Sequence, residues 1–313
     1  MRDWYHAPGR RRLKRFLRLV CAAICLVSAW MLCRYAVEAV TVRREQQTMA
    51  EAYHAQADVS SGETPADTVS VPAASTPEPD PAEEAPATAS AEGTDDTLPI
   101  VVYPQNPNAT YDAALASVRS QNTDIAAWLQ VDELVDSAVV LRDNTYYLNH
   151  DISGRSSSHG AIFLDERTAF VMNRRPYTFI VYGHNMKSGT MFGRLKKYEG
   201  SDWYYAHPFI TFNTLYEEGE YAVFSVAVLN VENSADPAYV DLDELYSSGR
   251  TGRMECIDRI RSLSLHCNRI PLSGDDQVLL LVTCDGDDAE RLVVAARRIR
   301  SDESRESLQK LIP

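Results

Sequence analysis

The chain has 313 residues, with 31 Lys and Arg against 44 Asp and Glu, which gives a formal net charge of −13 at pH 7. The charge is unevenly distributed, because residues 1–44 carry ten of the basic side chains and only two of the acidic ones. Residues 45–313 therefore hold 21 basic and 42 acidic side chains, a net charge of −21. Such a surface repels phosphates, and no basic stripe with interleaved aromatic residues is present, which argues against nucleic-acid binding.

The basic N-terminal end leads into an uninterrupted apolar run, residues 19–33. As a helix, this run spans about 22 Å, which is short of the roughly 30 Å hydrocarbon core of a bilayer. Arg18 and Arg34 flank the run and can extend toward the two interfaces, so we predict a transmembrane anchor at 16–37. The basic tail, 1–15, places the N-terminus in the cytoplasm and the rest of the chain outside. A cleaved signal peptide is the alternative, although no convincing small-x-small cleavage site follows the run.

Two segments separate the anchor from the folded part of the chain. Residues 38–57 contain helix-forming residues and no helix breaker, which predicts a juxtamembrane helix, without a clear apolar face for packing on a core. Residues 58–98 are rich in Pro, Ala, Thr and Ser and carry ten Asp and Glu but no Lys or Arg. This composition predicts a disordered spacer that holds the following domain, 99–313, off the membrane.

The domain begins with a helical pattern and continues as short strands. In residues 111–131, Ile125, Trp128 and Leu129 recur at helical spacing, and so do apolar residues before them, which predicts helical segments. Eight later stretches are rich in β-branched and aromatic residues and are bounded by Gly, Asp, Asn or Pro. These stretches are 137–141, 145–149, 160–165, 179–183, 208–213, 220–231, 277–284 and 291–299. Eight strands favour a barrel or a sandwich over a parallel sheet, and residues 242–265 predict a helix between the sixth and seventh stretches.

Six cysteines do not indicate a disulfide framework, because of where they lie. Three are in the apolar N-terminal run, where a thiol acts as a small hydrophobic group. A continuous helix would separate Cys256 from Cys267 by about 16 Å, too far for a disulfide unless the helix ends between them. Cys284 is then an odd thiol at the end of an apolar strand, followed by an Asp-Gly turn.

Cys284 needs a nearby cation or base to act as a nucleophile, since a thiol with a pKa of about 8.5 is only a few per cent thiolate at pH 7. Arg291 begins the next predicted strand, and a hairpin over 285–290 would set it within side-chain reach of Cys284. A guanidinium there can bind an oxyanion or a substrate carbonyl. His184 ends the strand 179–183 at a turn, and a cysteine with a histidine is a recurrent arrangement for acyl transfer.

Each of these residues also has a purely structural interpretation. A cysteine in an apolar strand is usually a buried small hydrophobic residue, a turn histidine is usually solvated, and spacing does not pair residues a hundred positions apart. No HExxH or CxxC pattern is present and the other histidines lack metal spacing, so no metal or cofactor is predicted. The acidic stretch 285–290 could attract Ca²⁺ but lacks the EF-hand pattern, which favours a solvated hairpin turn.

Several stretches resemble sortases, and most closely class B sortases. The sortase signature TxTC, followed by an arginine on the next strand, is similar to VTCDGDDAERLVVAARRI at 282–299. The class B stretch around the catalytic histidine is similar to YGHNMKSGTMFGRLKKY at 182–198. The early strands of that class resemble 122–131 and 145–165. Together the resemblance covers about 108–300, with the matches in the right order.

The resemblance implies a mainly β fold, a closed eight-stranded sortase-type β-barrel with N-terminal helices and a helix between the sixth and seventh strands. It implies that Cys284 is the nucleophile, His184 the general acid and base, and Arg291 the ligand of the substrate and the oxyanion. One departure is Val282, where class B enzymes often have a serine, so any hydrogen bond that this serine makes near the thiol is absent.

The implied activity is that of a membrane-anchored cysteine transpeptidase on the outer face of a Gram-positive type of cell. Such an enzyme cleaves a C-terminal sorting signal resembling NPxTx or LPxTG after its threonine, through a thioacyl intermediate and with no cofactor. It then transfers the surface protein or pilin to an amine of a peptidoglycan precursor or of a pilin. A thiol hydrolase of the same fold and an inactive membrane-tethered peptide-binding module are the alternatives.

Overall fold

The computed structural model describes residues 9–62, 112–168, 170, 176–284 and 289–313, with the backbone alone for 9–15, 59–62 and 284. Most of the predicted spacer, 58–98, lies outside the described residues. The same holds for the beginning of the predicted cytoplasmic tail, for the first residues of the predicted domain, and for most of the acidic turn after Cys284.

Eight strands form the body of the fold. They are β1 Ile125–Val131, β2 Val135–Val140, β3 Phe163–Leu164, β4 Thr178–His184, β5 Phe209–Thr214, β6 Glu220–Asn230, β7 Val278–Cys284 and β8 Glu290–Arg298. They close into a barrel in the order β1-β2-β3-β4-β7-β8-β6-β5. The pairs β2 with β3 and β4 with β7 are parallel, and the other neighbours are antiparallel. The predicted closed eight-stranded barrel is confirmed.

Six helices accompany the barrel in the described part of the chain. They are α1 Gly9–Gly62, α2 Ala113–Arg119, α3 Ser201–Ala206, α4 Glu244–Ser247, α5 Arg250–Ser262 and α6 Arg305–Gln309. Helices α4 and α5 lie between β6 and β7, where the sequence predicted one helix at 242–265. Helix α1 is long and apolar enough to cross a membrane, with its apolar window fully exposed. A membrane anchor and a signal sequence both have this length and composition.

Strand β1 shows that the helical interpretation of 111–131 is wrong for its second half. The first half forms α2, but Ile125–Val131 is a strand whose two faces are both buried. Leu129 belongs to the apolar cluster of the barrel, whereas Trp128 belongs to a second cluster under α1 and α2. A strand that is buried on both faces lacks polar alternation, and its apolar residues can therefore match helical spacing as well.

The predicted strand at 145–149 is also wrong, because this stretch contains a turn of 3₁₀ helix, Tyr146–Leu148. Asp143 Oδ1 accepts hydrogen bonds from the Thr145 amide at 3.0 Å and from the next amide at 2.8 Å. This local bonding by an aspartate favours a turn over a strand. Tyr147 is nevertheless buried, so the apolar character that suggested a strand serves packing instead.

The C-terminal half of α1 packs on the outside of the barrel. Its buried apolar residues recur along one side of the helix and are Ala39, Val42, Met49, Ala50 and Tyr53. The Tyr53 ring stacks on Trp128 of β1, with centroids 4.2 Å apart and planes at 4°. The prediction that 38–57 has no apolar face is therefore wrong. The sequence analysis missed this face because it is narrow and because charged and polar residues lie between its members.

Helices α1 and α2 flank residues 63–112 in sequence and pack on each other in space. Met49 and Tyr53 of α1 share one apolar cluster with Leu115 and Val118 of α2. Contact between α1 and the barrel is therefore direct.

Candidate active site

Two of the three predicted site residues end neighbouring parallel strands. Strand β4 ends at His184 and β7 ends at Cys284, and the two residues are Cα partners in the register between these strands. Adjacent strands lie about 4.8 Å apart, so the fold brings together two positions that are a hundred residues apart in sequence. The register runs without a shift from the start of both strands, which fixes how their ends meet.

The third predicted residue, Arg291, lies on β8, the antiparallel neighbour of β7 on its other side. Val282 is opposite Val293, and two further steps along both strands bring Arg291 level with Cys284. The three positions therefore lie at one end of three adjacent strands. This is the arrangement that the hairpin prediction expects.

The Arg291 side chain is largely buried, with 16% of it exposed. Its Nη1 donates to the Glu290 carbonyl at 3.0 Å, and its Nη2 lies 3.9 Å from Glu232 Oε1. Because that carboxylate is 67% exposed, it is a weak ion-pair partner. Among the residues that the structure describes, these two contacts engage only part of the five N–H donors of a guanidinium, which suits a group that binds a substrate oxygen.

The His184 ring is oriented by a main-chain oxygen. Its Nε2 lies 3.0 Å from the Leu148 carbonyl oxygen. A carbonyl oxygen can only accept, so Nε2 carries the proton and donates it to Leu148. The neutral ring then has its lone pair on Nδ1, and Nδ1 is the atom that can take up and release a proton.

The turn after His184 is built by close backbone contacts. The His184 carbonyl accepts hydrogen bonds from the amides of Met186 and Phe192, both at 3.0 Å. A Cβ atom at Gly193 would lie 2.0 Å from the Met186 carbonyl oxygen, which no side chain tolerates. This tight return of the chain accounts for the glycine punctuation of 182–198 and restrains the backbone of His184.

Comparison with known proteins agrees with this architecture. A sequence model of the sortase domain matches residues 129–299. The chain belongs to the sortase family. Sortase B of Listeria monocytogenes is 29% identical over 183 residues, which are 58% of this chain and 70% of that protein.

Solved structures from two organisms are similar to this sortase. A Bacillus anthracis protein similar to sortase B has a TM-score of 0.54 at 28% identity, covering 65% of this chain and 90% of that chain. A Staphylococcus aureus sortase B–substrate complex has a TM-score of 0.53 at 22% identity, covering 62% of this chain and 88% of that chain. The predicted resemblance to class B sortases is confirmed, and with it a cysteine transpeptidase of this family.

Strand β7 of this sortase carries Val282 where a serine was expected by resemblance. Val282 is 2% exposed and packs in the apolar cluster of the barrel. The hydroxyl of Thr283 instead accepts a hydrogen bond from the Leu292 amide at 3.1 Å. The polar side-chain contact between β7 and β8 next to Cys284 is therefore made by position 283.

Two other cysteines lie in the barrel domain. Burial raises the pKa of the Cys256 thiol to about 12, and the negative charges of Glu244 and Asp241 act in the same direction. Cys256 thus stays a neutral thiol at pH 7 and is unsuited to nucleophilic attack. Cys267 is exposed, and both are free thiols although α5 ends between them.

A buried polar network begins two residues before His184 on β4, and the sequence analysis did not find it. The Tyr182 hydroxyl donates to Asp165 at 3.0 Å, and Arg167 pairs with the same carboxylate at 2.8 Å. Burial and the Asp165 charge raise the pKa of Tyr182. Burial opposes ionisation of Asp165, but the hydrogen bonds from Arg167 leave the pKa of its carboxyl below the usual value. At neutral pH a neutral hydroxyl therefore donates to a carboxylate.

The Leu148 carbonyl is the functional group that sequence reasoning missed. It lies in the stretch interpreted as a strand, and a main-chain oxygen leaves no signal in the residue type. Among the residues that the structure describes, no group of three or more His, Cys, Asp and Glu side chains is placed to hold a metal ion.

Proposed function

We propose that this sortase is a membrane-anchored class B transpeptidase that uses Cys284, His184 and Arg291 to cleave a C-terminal sorting signal after its threonine. The signal resembles NPxTx or LPxTG, and the acceptor is an amine of a peptidoglycan precursor or of a pilin. The observation that carries the proposal is the register pairing of His184 with Cys284 at the ends of β4 and β7.

In the first half of the reaction His184 Nδ1 takes the proton of the Cys284 thiol, and the sulfur attacks the carbonyl carbon of the threonine. A carbon–sulfur bond forms and the developing oxyanion is stabilised by the Arg291 guanidinium, which has no proton to lose at neutral pH. The carbon–nitrogen bond then breaks as His184 gives a proton to the leaving amine from Nδ1. The product is a thioester between the enzyme and the sorted protein.

In the second half an acceptor amine attacks the thioester. His184 Nδ1 removes the proton of the amine, the new carbon–nitrogen bond forms as the carbon–sulfur bond breaks, and the Cys284 sulfur leaves as a thiol with that proton. Dividing acyl transfer into two steps retains the energy of the cleaved peptide bond in the thioester, so the reaction consumes no ATP. His184 keeps its Nε2 proton on the Leu148 carbonyl through both steps.

The proposal includes a location on the outer face of the cell membrane. A single helix over 16–37 crosses the bilayer, the basic tail stays in the cytoplasm, and the catalytic domain 99–313 lies outside. The exposed apolar window of α1 supports a span rather than a core helix. In this location the enzyme meets secreted substrates and lipid-linked acceptors at the same leaflet.

Peptide cleavage with and without an amine tests this function against its alternatives. The full-length chain in detergent micelles is mixed with fluorescent peptides that carry NPxTx or LPxTG variants, and products are identified by mass spectrometry. We expect the threonine to end in an amide of the added amine. If the cleaved peptide still ends in a free carboxylic acid at high amine concentration, the thiol hydrolase is favoured. If no peptide is cleaved, the binding module is favoured.

Replacing Arg291 with lysine is expected to lower kcat/KM by roughly 10²- to 10³-fold although the charge is kept. The planar fork of the guanidinium, with donors to both the substrate and the oxyanion, is lost. Steady-state peptide cleavage measures the effect. Arg305→Lys is the matched control, because Arg305 forms a half-exposed pair with Glu220. A near-normal rate for Arg291→Lys removes Arg291 from the site.

A further inference from the structure

Helix α1 begins to contact the barrel domain at the predicted end of the membrane span. Ala39 and Val42, directly after the predicted end of the span at residue 37, are buried, with exposed fractions of 8% and 4%. The Tyr35 ring stacks on His159 at 5.3 Å. The anchor helix and the domain therefore meet at the place where the helix leaves the predicted membrane.

Glu38 makes the densest polar contact in this interface. Its carboxylate accepts hydrogen bonds from the Ser157 hydroxyl at 2.8 Å, the Ser158 amide at 2.7 Å and the Ser158 hydroxyl at 3.1 Å. The buried His159 has its Nδ1 3.6 Å from the same carboxylate. Hydrogen bonds to an ionised acceptor are about twice as strong as those between neutral groups, so Glu38 holds this loop firmly.

The loop that Glu38 holds is hydrogen-bonded to both neighbours of Leu148, the residue whose oxygen orients His184. The Ser157 amide donates to the Asn149 carbonyl at 2.9 Å, and the Ala161 amide donates to the Tyr147 carbonyl at 2.9 Å. These two bonds bracket Leu148, whose carbonyl receives the His184 Nε2 proton. Two hydrogen bonds, both made by Ser157, therefore connect the Glu38 carboxylate to Asn149, the residue after Leu148.

Gly160 closes the loop against the same carbonyl. It has φ of +59°, and a Cβ atom there would lie 2.5 Å from the Tyr147 oxygen and 2.9 Å from the Leu148 oxygen. Only glycine fits this approach, so the position of the Leu148 oxygen depends on how the loop folds back.

We propose that Glu38, on the anchor helix just outside the predicted span, is a positioning residue for His184. It acts by holding the loop 149–161, which sets the Leu148 carbonyl that receives the His184 Nε2 proton. In the described part of the chain, Glu38 contacts Ser157, Ser158 and His159 and neither His184 nor Arg291. The proposal rests on the proposed role of His184 as acid and base, and it makes the anchor helix a part of the active-site structure.

The test compares Glu38→Gln with Glu51→Gln in the full-length chain in detergent micelles. Glutamine keeps the shape of the side chain but replaces one acceptor oxygen by an NH₂ group that faces donors. Glu51 lies exposed on the same helix and serves as the control. For Glu38→Gln we expect kcat about tenfold lower, KM within twofold, and a shift to lower pH of the limb of the kcat profile that reports His184. The shift follows because a poorly placed carbonyl stabilises the imidazolium less.

A merely structural role moves different quantities. If Glu38→Gln matches Glu51→Gln in kcat and in pH profile, the proposal is wrong. It is also wrong if kcat falls only in proportion to the folded fraction, measured by circular dichroism, with the pH limb unmoved. Gly160→Ala displaces the Leu148 carbonyl from the other side. The kcat of this variant, corrected for its folded fraction, is expected to fall as it does in Glu38→Gln, with the same shift of the pH limb.

His184→Ala is measured beside these variants to separate this proposal from the proposed function. If His184→Ala is inactive and Glu38→Gln is normal, only the role of Glu38 is rejected. If His184→Ala is itself fully active, the acid and base assignment is rejected, and the positioning role of Glu38 is rejected with it.

Discussion

Replacing Cys284 with alanine is expected to abolish transpeptidation, with kcat lowered by a factor on the order of 10⁴ or more. The reaction requires a carbon–sulfur bond to the threonine carbonyl, and alanine supplies no nucleophile. The remaining residues can still bind and polarise the peptide, so the affinity of the variant for the peptide changes little. Peptide cleavage measures the rate, and mass spectrometry of the protein measures the loss of the thioester adduct.

The chain offers a matched control for this experiment. Cys267→Ala removes an exposed thiol from the same domain and is expected to leave the rate and the thioester unchanged. Cleavage of the peptide by Cys284→Ala at more than a few per cent of the normal rate contradicts the nucleophile assignment. A thioester that persists in this variant contradicts it as well.

Replacing His184 with alanine is expected to lower kcat by roughly 10²- to 10⁴-fold. Without the imidazole, the leaving amine departs unprotonated and the incoming amine keeps its proton. We also expect the pH profile to lose the limb that reports the imidazole. Cleavage rates measured from pH 5 to 9 test both expectations.

The control for the histidine is His207→Ala. His207 is partly exposed and pairs with Asp132 at 2.5 Å, and it takes no part in the proposed chemistry. A rate for His184→Ala equal to that of His207→Ala refutes the acid and base assignment. Partial recovery of His184→Ala with added imidazole supports it, because the free base replaces the missing ring.

The two secondary-structure errors in the barrel have the same origin in tertiary packing. Ile125–Val131 matches a helical pattern because α1 and α2 cover the outer face of β1, which removes the polar alternation of a half-exposed strand. The stretch 145–149 looks like a strand because Tyr147 is buried under the same cover. In both cases the sequence records burial, and burial does not by itself specify the backbone conformation.

The docking of α1 was missed for the opposite reason. Few large apolar residues mark the face of this helix, and much of its interface is polar. Glu38 binds Ser157 and Ser158, and His54 pairs with Asp136 at 2.9 Å. Charged residues in a helix normally indicate a solvated surface, and only their partners on distant parts of the chain show otherwise.

Local sequence determined the apolar N-terminal segment, most of the strands, the helical insertion between β6 and β7, and the residue types able to carry acyl transfer. These properties depend on neighbours within one or two turns or strands, which a single sequence displays. Only the tertiary structure decided that β4 and β7 are parallel partners in register, that Leu148 presents its carbonyl to His184, and that Glu38 of α1 binds Ser157 and Ser158. Those arrangements depend on contacts between segments that lie far apart in the sequence. The energy of such a contact depends on both segments together, so neither segment alone predicts it.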